Sequence, residues 1–385
     1  MRLLSRMTLP LALLGLSLAG PLVGTAGAHS RYGVVGHVYV DDNTAGVNTV
    51  GAFDRHADGS LTPTPGSPFA AGGAGTGAGL ASQGAIQISS DGRFVVAVDA
   101  GSNQISVLRI SRDGSLELVR DGVVSSGGIL PDSVTIHDDL VYVANSRNGG
   151  SNYTGFTLGD SGRLRPLAGS TVPLPDGSAP ADVLFNGTGR KLVGTRVGTS
   201  EIDSFTVGRD GLLTAAPGSP FAGQGLGPFG SEFRPTNPRQ LFVSNAHNVG
   251  PGTGTVSAFT VSRDGTLTSI SGSPFPDDQT APCWVEITRD GRFLFTVNTA
   301  SGSISRYSIA RDGTLRLIGS TPVSGGSAVA AVDARLSPDG RTLYLDESKV
   351  GKVGAFAVDD GNLTELASSP FALPAGAAAA GVAVN

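Results

Sequence analysis

Residues 285–317 read VEITRDGRFLFTVNTASGSISRYSIARDGTLRL, and this stretch decides the fold. Apolar and polar residues alternate on both sides of the turn at Asp290-Gly291 and again on both sides of Asp312-Gly313. Alternation with a period of two indicates β-strands, and a tight turn between two alternating runs indicates a hairpin. The stretch therefore predicts four short antiparallel strands.

The same pattern recurs along the whole chain. Turn signals lie at Asp58-Gly59, Asp113-Gly114, Ser161-Gly162, Asp210-Gly211, Asp264-Gly265, Asp312-Gly313 and Asp360-Gly361. Their successive spacings are 55, 48, 49, 54, 48 and 48 residues. Because four strands over roughly 40–50 residues are typical of a propeller blade, the sequence predicts an all-β, seven-bladed β-propeller of four-stranded antiparallel blades.

The two ends of this repeat region complement each other. The first unit begins at Val34–Val40, which reads as a second strand, so its innermost strand is missing. The last residues, Gly381–Asn385, resemble the start of the inner strands elsewhere. We therefore expect the C-terminal strand to complete the first blade and close the ring, and its deletion to unfold the ring.

The N-terminus predicts export. Arg2 and Arg6 precede an apolar run at residues 9–19 and small residues that end at Ala28, the three-part plan of a secretory signal peptide. The predicted domains are a signal peptide at residues 1–28 and a propeller at residues 29–385. No later apolar run is long enough to span a bilayer, so we expect a secreted protein of the cell exterior or envelope.

Charge and cysteine content exclude some classes of function. The chain has 27 Lys and Arg against 32 Asp and Glu, a net charge of −5, and no basic stripe that would neutralise nucleic-acid phosphates. Cys283 is the only cysteine, so ring closure cannot use an intrachain disulfide. We interpret Cys283 as a small buried residue, because a nucleophilic thiol needs an adjacent base and a positive environment.

Several turn and packing motifs resemble one family. They are Ser-Pro-Asp-Gly-Arg-Thr-Leu-Tyr at residues 337–344, Val-Ser-Arg-Asp-Gly-Thr-Leu at 261–267, and Gly-Ser-Pro-Phe at 66–69, 218–221 and 272–275. Together they resemble the lactonase-type seven-bladed propellers, which include bacterial 6-phosphogluconolactonases and fungal 3-carboxymuconate lactonising enzymes. The resemblance implies hydrolysis or formation of a small lactone at the central channel.

The family places an Arg-His pair at the start of its inner strands. The matching positions here are Gly84-Ala85, Asp132-Ser133, Ala181-Asp182, Phe229-Gly230, Cys283-Trp284 and Val332-Asp333. None of them is Arg or His, so any catalytic groups must be other residues.

Residues two apart on a strand share a face, so each inner strand is expected to turn two residues toward the channel. These positions contain Asp182, Glu232, Trp284, Glu286, Asp333 and Arg335. Facing carboxylates raise one another's pKa and can serve as acids or bases, or can bind a divalent cation. A hydrated acidic pore, with Arg335 neutralising a neighbour, is the alternative without chemistry.

The loops between second and third strands form the rim. Arg147, Arg196 and His247 are candidate donors to a lactone or carboxylate, and His247 lies in a loop at 245–254 that is longer than its counterpart in the sixth blade. Asn245 and Asn298 are candidate ligand-binding residues, although asparagines at such positions commonly stabilise turns.

The sequence therefore favours a secreted, monomeric, lactonase-like propeller with a small-molecule lactone or a carbohydrate as ligand. Its candidate catalytic residues are His247, Arg335, Glu286, Asp333 and Asp182; the binding candidates are Glu232, Trp284, Arg147, Arg196, Asn245 and Asn298. We expect no cofactor and no resident metal. The alternative is a non-catalytic binding propeller that holds a protein, a carbohydrate or the cell envelope.

Overall fold

The computed structural model describes residues 33–385, so the predicted signal peptide at residues 1–28 lies outside the described range. Residues 33–385 form seven antiparallel sheets and one short 3-10 helix, η1 (Gly326–Val329). The prediction of an all-β, seven-bladed propeller is confirmed.

Each blade has four strands that run outward from the channel, and five blades add a fifth strand beside the third. The first blade comprises β1 (Val34–Asp41), β2 (Gly46–His56), β3 (Leu61–Pro63), β4 (Phe69–Gly75) and the C-terminal strand β33 (Gly381–Val384). The second comprises β5 (Ile86–Ile88), β6 (Phe94–Asp99), β7 (Gln104–Ile110) and β8 (Leu116–Ser125). The third comprises β9 (Pro131–His137), β10 (Leu140–Asn145), β11 (Asn152–Leu158), β12 (Leu164–Pro166) and β13 (Val172–Pro173).

The remaining four blades repeat this plan. The fourth comprises β14 (Pro180–Phe185), β15 (Lys191–Arg196), β16 (Glu201–Val207), β17 (Leu213–Ala215) and β18 (Phe221–Ala222). The fifth comprises β19 (Pro228–Arg234), β20 (Asn237–Asn245), β21 (Thr255–Val261), β22 (Leu267–Ser269) and β23 (Phe275–Pro276). The sixth comprises β24 (Pro282–Ile287), β25 (Phe293–Asn298), β26 (Ser303–Ile309) and β27 (Leu315–Pro322). The seventh comprises β28 (Ala331–Leu336), β29 (Thr342–Glu347), β30 (Lys352–Asp359), β31 (Asn362–Glu365) and β32 (Phe371–Ala372).

The C-terminal strand closes the ring as the sequence predicts. β33 pairs antiparallel with β1, from Val38 opposite Val384 to Asp41 opposite Gly381. Without β33, β1 would be an unpaired edge at the channel.

Neighbouring blades pack through apolar layers and through tyrosine hydroxyls. Tyr39, Tyr142 and Tyr344 lie on second strands and donate to the turn carbonyls of the next blade, at Gly114 (3.1 Å), Gly211 (2.8 Å) and Gly59 (2.9 Å). Three of the Asp-Gly turns that define the repeat therefore also dock one blade on the next. Within residues 33–385, no helix is long and apolar enough to cross a membrane.

Candidate active site

The inner strands β33, β5, β9, β14, β19, β24 and β28 are sheet edges, so their free backbone N–H groups need partners from outside the sheet. At four junctions a side chain on one inner strand accepts a hydrogen bond from the next inner strand, 49 or 50 residues later. The acceptors are Ser133 (from Val183, 3.1 Å), Thr135 (from Phe185, 3.2 Å), Asp182 (from Ser231, 2.9 Å), Glu286 (from Leu336, 3.0 Å) and Asp333 (from Val382, 3.4 Å). We call these contacts the inter-blade belt.

The junction between the fifth and sixth blades lacks a belt contact of this kind. Gly230 stands where the fourth and seventh blades carry Asp182 and Asp333, so it has no side chain to offer. Gln83, from the start of the second blade, reaches across instead: its amide oxygen accepts from Val285 N (2.9 Å) and its amide nitrogen donates to Ser231 O (2.8 Å). A Cβ atom on Gly230 would contact the Gln83 amide and lie 2.6 Å from the Cys283 carbonyl oxygen. The glycine therefore makes room for the glutamine.

Residues 82–84, which we call the plug, close the channel where the inner strands begin. The Gln83 N–H donates to Ala181 O (2.8 Å), and the Gly84 N–H donates to Asp333 Oδ2 (3.3 Å). Trp284 donates from its indole nitrogen to Ser82 O (2.7 Å) and packs edge-on against Phe229, with 5.0 Å between ring centroids. Ser82 and Gln83 are fully buried, so the plug separates the channel from the cavity at its mouth.

Beyond the plug lies the only channel ion pair among residues 33–385. Arg335 Nη1 lies 3.0 Å from Glu286 Oε2, and both side chains retain some solvent exposure. Burial alone would lower the pKa of Arg335, but the carboxylates of Asp333, Glu286 and Glu232 more than offset it and raise that pKa.

Glu232 shares this part of the channel. Its pKa is well above the ordinary value because of burial and the nearby Glu286 carboxylate. Within the described chain no hydrogen bond to its carboxylate is present, in contrast to the belt carboxylates. The predicted grouping of Glu232, Glu286 and Arg335 at the channel is therefore observed.

Asp182 and Asp333 are buried deeper, at the level of the plug. Burial raises the pKa of Asp182 to about 7, and the hydrogen bonds from Ser231 oppose that rise. Burial also raises the pKa of Asp333, against the opposing charge of Arg335. Both carboxylates accept hydrogen bonds from the next inner strand, Asp182 from Ser231 and Asp333 from Val382.

A cavity of about 450 Å³, the mouth cavity, lies on the other side of the plug. Its walls are formed by connections that precede inner strands, by the first residues of three inner strands and by three rim loops. The lining residues are Gly79, Leu80, Ala81, Leu130, Asp132, Ser146, Ala179, Pro180, Val197, Phe229 and His247. A cavity of this size accommodates a small molecule. Most of its lining is apolar, so the few polar groups determine its chemistry.

Asp132 is the buried acid of the mouth cavity. Only 4% of the residue is exposed, and its Oδ1 atom has no hydrogen-bond partner. Burial raises the pKa of Asp132 well above its ordinary value, with the charge of Asp182 as a further contribution and the Ser146 hydroxyl opposing it. A buried carboxyl with a free oxygen in a cavity wall is suited to proton transfer.

His247 lies at the rim of the same cavity. The ring sits over Gly227, whose Cβ position would be 2.6 Å from His247 Cγ, and Gly227 has a positive φ of 62°. The His247 N–H donates to Leu226 O (3.0 Å), which fixes the loop against the start of the fifth blade. Of the predicted catalytic residues, His247 alone lines the mouth cavity.

The connections around the mouth are strained in a regular way. Leu130, Ala179, Ala281 and Ala330 immediately precede inner strands and have φ between 43° and 57°, a left-handed conformation that costs L-residues energy. The fifth blade has Gly227 at this point. At the position just before the inner strand, four blades therefore have a strained residue, and the fifth blade has glycine beside His247.

Three of the other predicted rim residues form ion pairs or hydrogen bonds within their own blades. Arg196 forms two 2.6 Å contacts with Asp203 and a 3.3 Å contact with Glu201. Asn245 donates to Thr255 and Ser257 (both 2.9 Å), and Asn298 is bonded within its own hairpin. Arg147 is exposed on its loop.

Among residues 33–385 no group of three or more His, Cys, Asp or Glu side chains is arranged to hold an ion. Cys283 is buried, and burial raises the pKa of its thiol to about 12, which fits the interpretation as a packing residue.

Two long segments of the chain, residues 47–185 and 232–379, match the family described as lactonase, 7-bladed β-propeller. The chain belongs to this lactonase family. Among the curated proteins none matches the sequence.

Solved structures with the same fold share little sequence with this lactonase-family protein. A candidate 6-phosphogluconolactonase from Bacteroides uniformis has a TM-score of 0.72 and 19% identity, over 91% of this chain and 99% of that one. The Pseudomonas aeruginosa periplasmic gluconolactonase PpgL has a TM-score of 0.69 and 17% identity, over 91% of this chain and 98% of that one. At such identities the likeness shows the fold alone.

Sequence reasoning did not single out Gln83 or Asp132 among the residues of this site. Gln83 binds partners 148 and 202 residues away, so no local pattern reveals it. Asp132 did have a signal, because it occupies one of the positions that match the family's Arg-His pair.

Proposed function

We propose that this protein is a secreted hydrolase that opens small lactones in the mouth cavity. The observation that carries the proposal is the buried Asp132 carboxyl, with one free oxygen, in the wall of a cavity that His247 also lines. Membership of the lactonase family and the fold shared with a periplasmic gluconolactonase support it.

The chemistry follows from these two groups. Asp132, as the carboxylate, takes a proton from water while the water oxygen attacks the lactone carbonyl carbon. His247 donates a hydrogen bond to the carbonyl oxygen as negative charge develops there. When the ring C–O bond breaks, Asp132 returns the proton to the leaving alkoxide, and the product is a hydroxy acid.

An uncharged lactone is the best substrate class for this cavity. Its walls are mostly apolar and its buried group is an acid, with the carboxylate of Asp182 nearby. A phosphorylated lactone would bring negative charge against Asp132 without an arginine in the cavity lining. We therefore expect glucono-δ-lactone to react faster than its 6-phosphate.

Ring opening is measured by the acid that it releases, with purified protein and a panel of simple lactones. Asp132→Asn should lower kcat/KM roughly 100-fold or more, since it removes the base. His247→Ala should lower it about tenfold, by the loss of one hydrogen bond to the developing charge. Asp139→Asn, a change at an exposed carboxylate, is the matched control and should have no effect. Turnover that survives in Asp132→Asn would refute the mouth cavity as the site.

Export and assembly are part of the same proposal. We expect the exported protein to begin at His29, which mass spectrometry of the secreted chain would test. Light scattering should give the mass of a single chain, because ring closure within one chain leaves the inner strands paired. An unprocessed N-terminus or a stable dimer would contradict these two points.

A binding propeller without catalysis is the second candidate. Leu226 and Val249, on either side of His247, are 49% and 86% exposed, and exposed apolar side chains at a rim suit a protein partner. If no lactone is turned over, we expect the unmodified protein to bind a partner protein from the culture medium of its host. The Leu226→Ser/Val249→Ser variant should lose this binding.

A further inference from the structure

Outside the channel, four arginines line a single groove between the second and third blades. Arg109 and Arg120 come from the second blade, on β7 and β8. In the third blade, Arg163 immediately precedes β12 and Arg165 lies on it. The groove has a volume of about 500 Å³, and its other lining residues are Glu117, Leu118, Val119 and Ser161. Each of the two blades therefore contributes two arginines to the lining of this groove.

The acids near this groove leave part of the positive charge unmatched. Arg163 pairs with Asp121 at 2.6 Å, and Arg109 donates to Ser161 O (3.2 Å) while its guanidinium lies 4.9 Å from the Phe94 ring centroid. Glu117 lies opposite Arg109 in the β7–β8 ladder. Arg120 and Arg165 are exposed and have no ion pair within residues 33–385.

Arg120 and Arg165 leave unmatched positive charge in the groove, and an anion that binds there would neutralise it. The rest of the protein is acidic, with a net charge of −5, so the groove is a local positive field that attracts anions. A guanidinium fork matches a carboxylate, sulfate or phosphate with two parallel hydrogen bonds.

The arrangement also indicates the valency of the ligand. Arg163 and Arg165 are two residues apart on one edge, and residues at that spacing share a face. Arg109 and Arg120 line the groove from the second blade. Arg120 and Arg165 come from different blades and each can bind an anionic group of its own, so a chain with repeated anionic groups can satisfy both.

We propose that this groove is a binding site for an acidic polysaccharide, independent of the mouth cavity. Its ligand is a glycan with repeated carboxylate or sulfate groups, held by Arg120 and Arg165 across the groove.

The test is calorimetric titration of the full chain with polygalacturonate, with neutral dextran and inorganic sulfate as comparison ligands. We expect polygalacturonate to bind, dextran not to bind, and sulfate to bind more weakly per site. Added salt should weaken the binding of polygalacturonate, because it screens the arginine charges.

Arg120→Ala/Arg165→Ala should weaken binding at least tenfold, since it removes two charge-assisted contacts. Arg209→Ala/Arg263→Ala removes the same charge from exposed turns elsewhere and should leave affinity unchanged. Arg120→Lys/Arg165→Lys keeps the charge and loses the fork, so an intermediate loss is expected. Equal losses in the two alanine variants, binding of sulfate and polygalacturonate with equal affinity per site, or no binding of polygalacturonate would overturn the proposal. All three variants change exposed residues, and circular dichroism verifies their fold.

Discussion

The fourth and fifth blades have the same strand order but differ at each point where they meet the channel. In the fourth blade, Asp182 bonds to the next inner strand and Ala179 supplies the strained turn before its own inner strand. In the fifth blade, these two positions are Gly230 and Gly227. The missing contact is replaced by Gln83 from the second blade, and the space above Gly227 is filled by His247.

This difference shows how a repeat fold makes room for a site. Four junctions satisfy their inner edges with the repeated belt contact, and the candidate site forms beside the fifth blade, where this contact is absent. The two glycines allow a distant residue to close the channel and a rim residue to lean over the mouth cavity. Glu232, in the same blade, is left as the channel carboxylate without a belt hydrogen bond.

Among the substitutions that probe this difference between the two blades, Gly230→Ala should have the largest effect on stability. Its Cβ would contact the Gln83 amide and lie 2.6 Å from the backbone oxygen of Cys283, which cannot move without shifting β24. We expect a loss of about 2–4 kcal/mol in the free energy of unfolding, in the range of overpacked core sites. Denaturant unfolding measures it; an unchanged midpoint would show that the plug does not fill this space.

Gln83→Ala should open the plug at a smaller cost. The change leaves Val285 N–H and Ser231 O without partners, a loss of about 2–3 kcal/mol. Trp284 is the only tryptophan and donates to Ser82, so its fluorescence should shift to longer wavelength and become accessible to acrylamide.

Gln87→Ala is the matched control for the plug. Gln87 lies lower in the channel, two residues beyond Ala85 on the same inner strand, and is partly exposed. Gln87→Ala should change the free energy of unfolding by no more than about 0.5 kcal/mol. It should also leave the acrylamide quenching of Trp284 unchanged. Equal quenching in the two variants would contradict the assignment of Gln83 as the seal.

The belt contact of the fourth blade should respond to pH because its acceptor, Asp182, can be protonated, whereas the Gln83 amide does not titrate. The folded-state pKa of Asp182 is raised to about 7, so its contribution to stability is full below its unfolded pKa, near 4, and is lost as pH rises through 7. Asp42 and Glu347 have similarly raised pKa values of about 7 and add to the same trend.

We therefore expect the apparent Tm to fall between pH 5 and pH 8. Asp182→Asn keeps an oxygen acceptor for Ser231 without the charge. Over the same pH range its Tm should therefore fall by roughly 2–4 °C less than that of the unmodified protein. Asp139→Asn, at an exposed position, should follow the unmodified protein. A steeper fall in Asp182→Asn would contradict a raised pKa at Asp182.

The smallest expected effect concerns the turns before the inner strands. Ala179→Gly should stabilise the fourth blade by about 1 kcal/mol, because glycine adopts φ of 43° without strain. Gly227→Ala should have the opposite sign in the fifth blade and should also displace His247. Thermal unfolding measures both, and a destabilising Ala179→Gly would show that its side chain contributes more than the strain costs.

The sequence was sufficient for the fold because its signals are local. Asp-Gly turns at a spacing near 48 residues and alternating strands specify each blade, and the unpaired Val34–Val40 and Gly381–Asn385 segments specify the closure. The site depends on contacts between blades, such as Gln83 with Val285, which no periodic pattern encodes. The channel carboxylates were found from the period of two, but their belt hydrogen bonds require the register between inner strands.

Whether lactones open in the mouth cavity is decided by comparing kcat/KM for glucono-δ-lactone in Asp132→Asn and Glu232→Gln. The two variants neutralise one carboxyl on each side of the plug. If lactones open in the mouth cavity, Asp132→Asn loses roughly 100-fold or more and Glu232→Gln stays within about twofold of the unmodified protein. The reverse pattern would place the chemistry in the channel with Glu286 and Arg335 and would contradict a site in the mouth cavity.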